Sequence, residues 1–282
     1  MNFIIEHKIP VGSWMADFVD WLTYNAAGFF DSLSYGLESL IMFFVDGVKW
    51  FPPMGLIALV ALFTWFLHRN LSLMVFVVAA FLLILNLGYW HEMLETFVLV
   101  LTATLFSVLV GVPIGIMAAH RPWCYAILRP ILDLMQTIPT FVYLIPTLVL
   151  FGLGVVPGLI STIIFAIAAP IRLTYLGIIG VPEELVEAGK AFGANRMKLL
   201  FKVELPAAMP NIMAGITQCI MLSLSMVVIA ALVGADGLGK PVIRALNTVN
   251  IAQGFEAGLA IVLVAIILDR LCKTPAYRNG GH

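Results

Sequence analysis

The residues best suited to a defined task in this chain lie in one charged segment, Glu187–Pro206. This segment separates two long apolar runs, Val155–Ile179 and a second run that begins near Ala207. A membrane protein that places a short amphipathic helix between two spans offers that helix to a soluble partner. The pattern therefore indicates a docking helix, and an ordinary amphipathic surface helix is the alternative.

Small residues mark the face of this helix that we expect to contact the partner. Pro182 and the acidic residues after it suit the first turn of a helix. A glycine inside a helix costs about 1 kcal/mol relative to alanine, so two glycines here need a packing reason. We expect Pro206 to end the segment and to start the next span. The candidate residues for contact with the partner are Glu187, Ala188, Gly189, Gly193, Leu205 and Pro206.

Composition places these residues in a membrane protein. Hydrophobic residues make up 62% of the 282 residues and charged residues only 11%, whereas soluble domains carry about 25% charged residues. The net charge of −1 argues against nucleic acid as a partner. The three cysteines, Cys124, Cys219 and Cys272, have no metal-ligand or redox spacing. We therefore predict no metal site.

Apolar periodicity predicts an all-α, polytopic protein, because backbone groups in lipid must bond within their own segment. We predict about seven spans, in a membrane domain of residues 53–272 that contains the loop 181–206, followed by a cytoplasmic tail, 273–282. Residues 1–52 contain two amphipathic helices, which suit an extracytoplasmic membrane interface or a soluble pair packed on the core. The predicted spans are Pro53–Leu67, Leu71–Tyr89, Met93–Ala119, Ile131–Gly152, Val155–Ile179, Ala207–Val233 and Phe255–Leu271.

The distribution of lysine and arginine predicts the orientation. If the loop 181–205 is cytoplasmic, alternation of the spans places ten basic residues inside, with Arg172 toward the same side, and four outside. The chain then has an extracytoplasmic N-terminus and a cytoplasmic C-terminus.

Asp133–Pro146 is the second notable segment, because Pro139 and Pro146 break or kink one predicted span. Discontinuous helices commonly line transport pathways, and aromatic rings there could face a cation. Aromatic packing against neighbouring helices is an equally good interpretation of each ring. Two serines of the sixth span cannot share a helix face, so one of them could line a pathway. The candidate pathway or gate residues are Gln136, Thr137, Pro139, Phe141, Tyr143, Ser223 and Ser225.

Asp133 and Arg172 are the ionisable residues nearest the membrane interior. Such residues are functional candidates by default, but Asp133 lies four residues after Arg129 and could pair with it at the interface. Arg172 could extend to the same interface. We therefore favour structural or gating charges over substrate contact.

Gly234–Lys240 fits the spacing of a phosphate-binding loop. Pro241 follows it, however, where that mechanism needs a serine or threonine hydroxyl, and the segment follows a membrane helix rather than a strand. We expect a tight turn here. The chain is therefore not predicted to be an enzyme, and its energy must come from another subunit.

The spacing Glu-Ala-Gly-x3-Gly-x9-Val-x-Leu-Pro in residues 187–206 closely resembles the cytoplasmic loop signature of ABC-importer permeases. Gly189 and Val203 replace the usual alanine and isoleucine. Longer runs (Asp133–Pro146, Phe201–Gly215, Leu224–Ala230 and Ile266–Arg270) resemble permeases for glycine betaine, proline betaine and choline. The resemblance covers roughly residues 90–271.

This resemblance implies a type I ABC-importer permease in the bacterial inner membrane. It implies a homodimer of this chain, two ATPase subunits that carry ATP and magnesium, and an extracytoplasmic substrate-binding protein. A permease for another small solute, such as an amino acid, remains an alternative. A proton- or sodium-coupled carrier is a further alternative, but acids are scarce in mid-span and no internal repeat is evident.

Overall fold

The computed structural model describes residues 10–272, and all of the regular secondary structure in that range is helical. The all-α prediction is thus confirmed for the described residues. The α-helices are α1 (Val11–Lys49), α2 (Pro53–His68), α3 (Leu71–Asn86), α4 (Trp90–His120), α5 (Pro122–Thr137), α6 (Leu144–Phe151), α7 (Val155–Ala166), α8 (Ala168–Ile179), α9 (Glu183–Ala191), α10 (Arg196–Leu199), α11 (Leu205–Ala230), α12 (Gly239–Asn247) and α13 (Ile251–Cys272).

Three short helical pieces connect some of these elements. A 3₁₀ turn at Thr140–Tyr143 joins α5 to α6, and a π-helical turn at Leu200–Glu204 joins α10 to α11. A second 3₁₀ turn follows α11 at Ala231–Val233.

The centre of the molecule is the packing of α4 against α8 and α11. Helix α4 has 31 residues, which corresponds to about 46 Å, and it exceeds the hydrocarbon thickness of about 30 Å. Gly111 and Gly115 allow this close packing, since an added Cβ at Gly115 would lie 2.7 Å from the carbonyl oxygen of Ile171 on α8.

Within residues 10–272, five continuous helical stretches are long and apolar enough to cross a membrane: α1, α4, α7 together with α8, the stretch Arg196–Val233 that contains α11, and α13. The bent pair formed by Pro122–Thr137 and Thr140–Phe151 is a sixth candidate. Four of the predicted spans correspond to these stretches within a few residues at their ends: 93–119, 155–179, 207–233 and 255–271. The exception is the beginning of the stretch that contains 207–233, which starts at Arg196. Helices α2 and α3 are apolar but have 16 residues each, about 24 Å. The fourth predicted span, 131–152, is not one helix: its two parts are bent by 108°.

The two predicted N-terminal amphipathic helices are the two halves of one 39-residue helix, α1, which is kinked at Ala26. Ile41 and Val45 in its second half are buried in the core, whereas Trp14 and Trp21 in its first half are exposed. Helix α1 is itself long and apolar enough to be a span. The interfacial placement of residues 1–52 therefore stays a prediction, and residues 1–9 and the tail 273–282 lie outside the described range.

Candidate coupling and translocation site

The docking helix forms where the sequence predicts it. Helix α9 begins at Glu183 directly after Pro182, with Glu183 and Glu184 in its first turn. Carboxylates at this end are favoured by the partial positive charge of the helix N-terminus. Glu187 and Ala188 lie on the exposed surface of α9, so both are available to a partner.

Gly193 does not lie on the helix face, which corrects the expectation that it extends the small-residue face of α9. It follows the end of the helix with a φ of 75°. Its N–H donates to the carbonyl of Lys190 at 2.9 Å, and the N–H of Ala194 donates to the carbonyl of Gly189 at 3.1 Å. These two bonds define the Schellman motif, in which glycine is favoured because the left-handed conformation strains other residues. Gly193 therefore terminates α9 and turns the chain.

Gly189 faces its own chain and not the exposed side, which corrects the second part of the small-face expectation. An added Cβ would lie 2.7 Å from Cδ1 of Leu199 and 3.3 Å from Cγ2 of Val203. Leu199 is buried. The small size of Gly189 therefore lets α9 lie closely against the turn that leads into α11.

Pro206 lies at the start of α11, as predicted, but it does not break the chain, since a continuous helical stretch extends from Arg196 to Val233. Proline is tolerated at this point because the π-helical turn ends directly before it. The N–H of Leu205 donates to the carbonyl of Leu200, five residues earlier. Pro206 then lies in the first turn of α11, where a missing N–H costs little.

Sequence reasoning missed a set of exposed apolar side chains on the loop 181–206, the coupling loop. The side chain of Phe192 is 93% exposed. Solvated loops seldom present several large apolar groups together, and such groups mark interaction sites. The amphipathic pattern of the segment was the available signal. The set consists of Leu185, Phe192, Met197 and Phe201.

The break between α5 and α6 is spanned by a side-chain hydrogen bond to the carbonyl of Met135, which the following Pro139 cannot satisfy because proline has no N–H. The hydroxyl of Tyr143 donates to the carbonyl of Met135 at 2.5 Å, and Thr137 Oγ1 donates to the carbonyl of Leu134 at 3.0 Å. Tyr143 also lies against Phe165, with ring centroids 6.1 Å apart. The structure thus gives Tyr143 a role in holding the break.

The remaining pathway candidates of this segment are on the surface of the chain. Gln136, Thr137 and Pro139 are exposed, and so is the ring of Phe141. The exposed ring of Phe141 is available to a solute, a lipid or a second chain, and its pathway role stays a prediction.

The two candidate serines of α11 differ in their exposure. Ser223 is completely buried within the chain, and its pathway role stays a prediction. Ser225 is exposed, and its hydroxyl donates to the carbonyl of Met221 at 3.1 Å. The side chain of Ser225 is thus open to the surface, and its pathway role also stays a prediction.

Asp133 pairs with Arg172 and not with Arg129. Arg172 Nη2 lies 2.7 Å from Asp133 Oδ1, so the ion pair joins α5 to α8. Both side chains are partly exposed. This geometry fits the prediction of structural charges.

The glycine-rich segment 234–240 is a tight turn, as predicted, since Gly234 and Gly237 have φ values of 92° and 118°. The N–H of Leu238 donates to Thr96 Oγ1 near the start of α4 at 2.8 Å. Glu204, beside the coupling loop, contacts His120 at the other end of α4. The turn and the loop therefore lie at opposite ends of this long helix.

A cleft of about 280 Å³ carries both signs of charge beside this turn. Burial, followed by the charges of Glu256 and Glu92, raises the pKa of the Tyr89 hydroxyl above its ordinary value, and Arg244 partly offsets this rise. Sequence reasoning missed the cleft, because its residues come from several helix ends. It is lined by Tyr89, His91, Glu92, Glu95, Asp236, Lys240, Pro241, Arg244 and Gln253.

Residues 111–272 match the model of a protein family described as the binding-protein-dependent transport system inner membrane component. The chain belongs to this family. This permease is 48% identical to the glycine betaine transport system permease protein OpuAB of Bacillus subtilis, over 94% of each chain. It is 45% identical to the glycine betaine/carnitine transport permease protein GbuB of Listeria monocytogenes, over 94% of this chain and 95% of the relative.

The permease is also 42% identical to the glycine betaine/proline betaine transport system permease protein ProW of Escherichia coli, over 95% of this chain and 76% of the relative. Among solved structures, an inward-facing MetNI methionine ABC transporter chain matches with a TM-score of 0.57 and 23% identity. That match covers 64% of this chain and 91% of the other. At this level of identity it confirms the ABC-permease fold alone.

Proposed function

We infer that this chain is the permease subunit of an ATP-driven importer for glycine betaine and related quaternary ammonium compounds. The observation that carries the proposal is the 42–48% identity, over 94–95% of this chain, to three permeases whose names include glycine betaine. A more distant relative, 32% identical, is named for trimethylamine N-oxide. Both names denote methylated nitrogen compounds, and this supports a compact, methylated cargo.

The partners proposed are a second copy of this chain, two ATPase subunits and an extracytoplasmic binding protein. ATP hydrolysis takes place in the ATPase subunits, which carry ATP and magnesium. The exposed apolar set around Phe192 supports docking of an ATPase on the coupling loop, since large apolar groups anchor protein interfaces. Glu187 and Ala188 extend the same surface on α9.

The proposed cycle couples ATP to the pathway through this loop. The ATPases come together on ATP and push on α9, and the membrane helices then open the pathway outward. The binding protein releases its cargo into the opened cavity. Phe141 and Ser225 are the exposed candidates for the cavity wall, since an aromatic face attracts a quaternary ammonium group.

The orientation proposed has the coupling loop and the C-terminus in the cytoplasm. The excess of lysine and arginine on the loop side supports it. The mixed-charge cleft beside Asp236 then faces outward, toward the binding protein.

Transport by the reconstituted complex tests the cargo. The permease, its ATPase and its binding protein are placed in liposomes, and uptake of labelled glycine betaine is measured with and without ATP. Proline betaine, choline and trimethylamine N-oxide serve as competitors, with taurine, a zwitterion whose nitrogen carries no methyl group, as the control. ATP-dependent uptake that only the methylated compounds inhibit supports the proposal. Uptake of taurine in place of glycine betaine would overturn it.

Substitution on the coupling loop tests the docking surface. Phe192→Ser removes the most exposed aromatic group of the loop, and Lys198→Ala removes an exposed charged group of the same loop. Co-purification of the ATPase is expected to fall for Phe192→Ser and to remain for Lys198→Ala. Equal retention of the ATPase by both variants would show that the apolar set is not the docking surface.

A further inference from the structure

The cleft of about 280 Å³ beside the turn 234–240 concentrates charge in a chain that has little of it. Five of the nine residues that line the cleft are acidic or basic, whereas charged residues make up only 11% of the whole chain. The lining comes from the starts of α4 and α13, from α12 and from the turn that precedes α12. Which of these charges are already paired decides what the cleft can bind.

Three of the five charged residues take part in ion pairs within the chain. The Oε1 atom of Glu95 lies 2.7 Å from Nζ of Lys49 on α1. Asp236 pairs with Lys240, four residues later, and this pair joins the turn to the first turn of α12. These contacts hold the walls of the cleft together and leave two charged residues for other partners.

The two remaining charged residues, Glu92 and Arg244, have opposite signs. Within residues 10–272, the structure gives neither of them an ion-pair partner. Glu92 is half-buried in the first turn of α4, where the positive end of the helix dipole favours a carboxylate. Arg244 is exposed in the last turn of α12, and its permanently charged guanidinium group suits a carboxylate ligand. A molecule that carries both a cation and an anion therefore finds a complement to each.

The ring of Tyr89 lines the cleft together with these two groups. Burial, the charge of Glu256 and the charge of Glu92 raise the pKa of the Tyr89 hydroxyl, and Arg244 lowers it. Both lining charges thus act on one phenol, although Glu256 itself lies outside the lining. An aromatic ring beside a carboxylate attracts a quaternary ammonium group.

The size and the place of the cleft fit a small solute. Pockets for small molecules have volumes of about 300–1,000 Å³, so a volume of about 280 Å³ admits a compact molecule. The cleft lies at the opposite end of α4 from the coupling loop. In the orientation proposed above, a solute therefore reaches the cleft from outside.

We propose that this cleft is an entry site of the permease, in which Glu92 and Tyr89 bind the methylated ammonium group of a betaine and Arg244 binds its carboxylate. The proposal rests on the proposed function for its choice of a betaine. Solute released by the binding protein is held by these contacts before it enters the pathway. Choline has the ammonium group but no carboxylate, so it makes only part of these contacts and binds more weakly.

The first test measures solute binding to the permease–ATPase complex, purified in detergent without the binding protein, with the ATPase alone as the background. Labelled glycine betaine and labelled choline are each titrated into wild type, Glu92→Gln and Arg244→Gln. Two control variants, Glu38→Gln and Lys198→Gln, carry the same charge changes at exposed positions that do not line the cleft.

Wild type should bind glycine betaine more tightly than choline. Glu92→Gln should weaken the binding of both solutes, because both carry the ammonium group. Arg244→Gln should raise the dissociation constant for glycine betaine about tenfold, but it should not weaken the binding of choline. Both control variants should bind the two solutes as wild type does.

A second measurement leaves both charges in place. Gln253→Cys puts a single cysteine in the wall of the cleft, in a permease without the three native cysteines, and saturating glycine betaine should slow its reaction with an impermeant thiol reagent several-fold. Leu246→Cys, at an exposed position of α12 outside the cleft, should react at the same rate with and without the solute.

Three results would overturn the proposal. They are unchanged glycine betaine binding in Glu92→Gln and Arg244→Gln, equal losses of glycine betaine and choline binding in Arg244→Gln, and a Gln253→Cys reaction rate that does not depend on the solute. If a charge variant does not assemble, the cysteine measurement decides alone. Variants that bind solute normally but need more binding protein for uptake would make the cleft a docking surface instead.

The proposed cargo is tested separately by uptake into liposomes. Uptake of glycine betaine by the complete wild-type complex, without binding in the cleft, would reject the entry site alone. Absence of that uptake would reject the proposed cargo, so the two failures remain distinct.

Discussion

Replacement of Gly193 by alanine tests whether the coupling loop depends on the shape of its backbone. Gly193 has a φ of 75° and closes α9 through the bonds to the carbonyls of Lys190 and Gly189. An L-residue in the left-handed conformation costs roughly 1–2 kcal/mol. Because 1.4 kcal/mol is a factor of ten, Gly193→Ala should lower the ratio of correctly closed to open loops by about one order of magnitude.

Steric clash does not add to this conformational cost, because a Cβ added at Gly193 would meet no atom of the chain within 4 Å. Asparagine is larger than alanine but adopts the left-handed conformation more readily. Gly193→Asn should therefore retain more function than Gly193→Ala. Gly193→Val, with its branched Cβ, should retain the least.

The assay is co-purification of the ATPase followed by ATP-dependent uptake, with Lys198→Ala as the control in the same loop. The expected order of activity is glycine, asparagine, alanine, valine. An order that follows side-chain size, with alanine better than asparagine, would refute the reasoning from backbone shape. It would support instead a partner surface that closes directly on Gly193.

Three further predictions concern packing, charge and topology. Gly115→Ala places a Cβ 2.7 Å from a carbonyl oxygen of α8, so it should destabilise the permease by about 1–3 kcal/mol and lower its thermal midpoint in detergent. The control Gly258→Ala, whose Cβ meets no atom within 4 Å, should leave the midpoint unchanged. An equal loss of stability in both variants would contradict the packing argument. Asp133→Asn removes one half of a partly exposed ion pair and should cost about 1 kcal/mol or less with uptake retained; abolished uptake in a stable protein would indicate a gate. The orientation can be tested with single cysteines at the exposed positions Asn195 and Leu246, in a protein without the three native cysteines. The two cysteines should react with a membrane-impermeant reagent from opposite sides of the membrane. Labelling of both from outside would refute the proposed orientation.

Composition and local pattern were sufficient for much of the fold. Lipid forces backbone groups into helices, so apolar runs such as Val155–Ile179 identify helical segments directly. The start of α9 after Pro182 follows from local preferences of proline and acidic residues. The close packing at Gly115 follows from the absence of a side chain on a long apolar helix.

Contacts between distant segments could not be read in this way. Gly189 and Gly193 are both small residues of one motif, yet one packs against Leu199 and the other turns the chain. Sequence spacing alone does not distinguish these roles, because the end of α9 depends on its fit against the following turn. The burial of Ser223 likewise depends on which face of α11 meets its neighbours.

The π-helical turn at Leu200–Glu204 contains one inserted residue, and this insertion sets the direction in which the coupling loop leaves α11. A π-helical turn contains one residue more than the α-helix around it needs, so deletion of one residue there would restore a regular helix from Arg196 onward. Each residue of an α-helix rotates the chain by about 100° and advances it by about 1.5 Å. Such a deletion would leave the membrane helices intact but turn Phe192 and its neighbours away from the side on which an ATPase could meet them. Between Gly193 and Pro206, the length of the chain is therefore as important to docking as its chemistry.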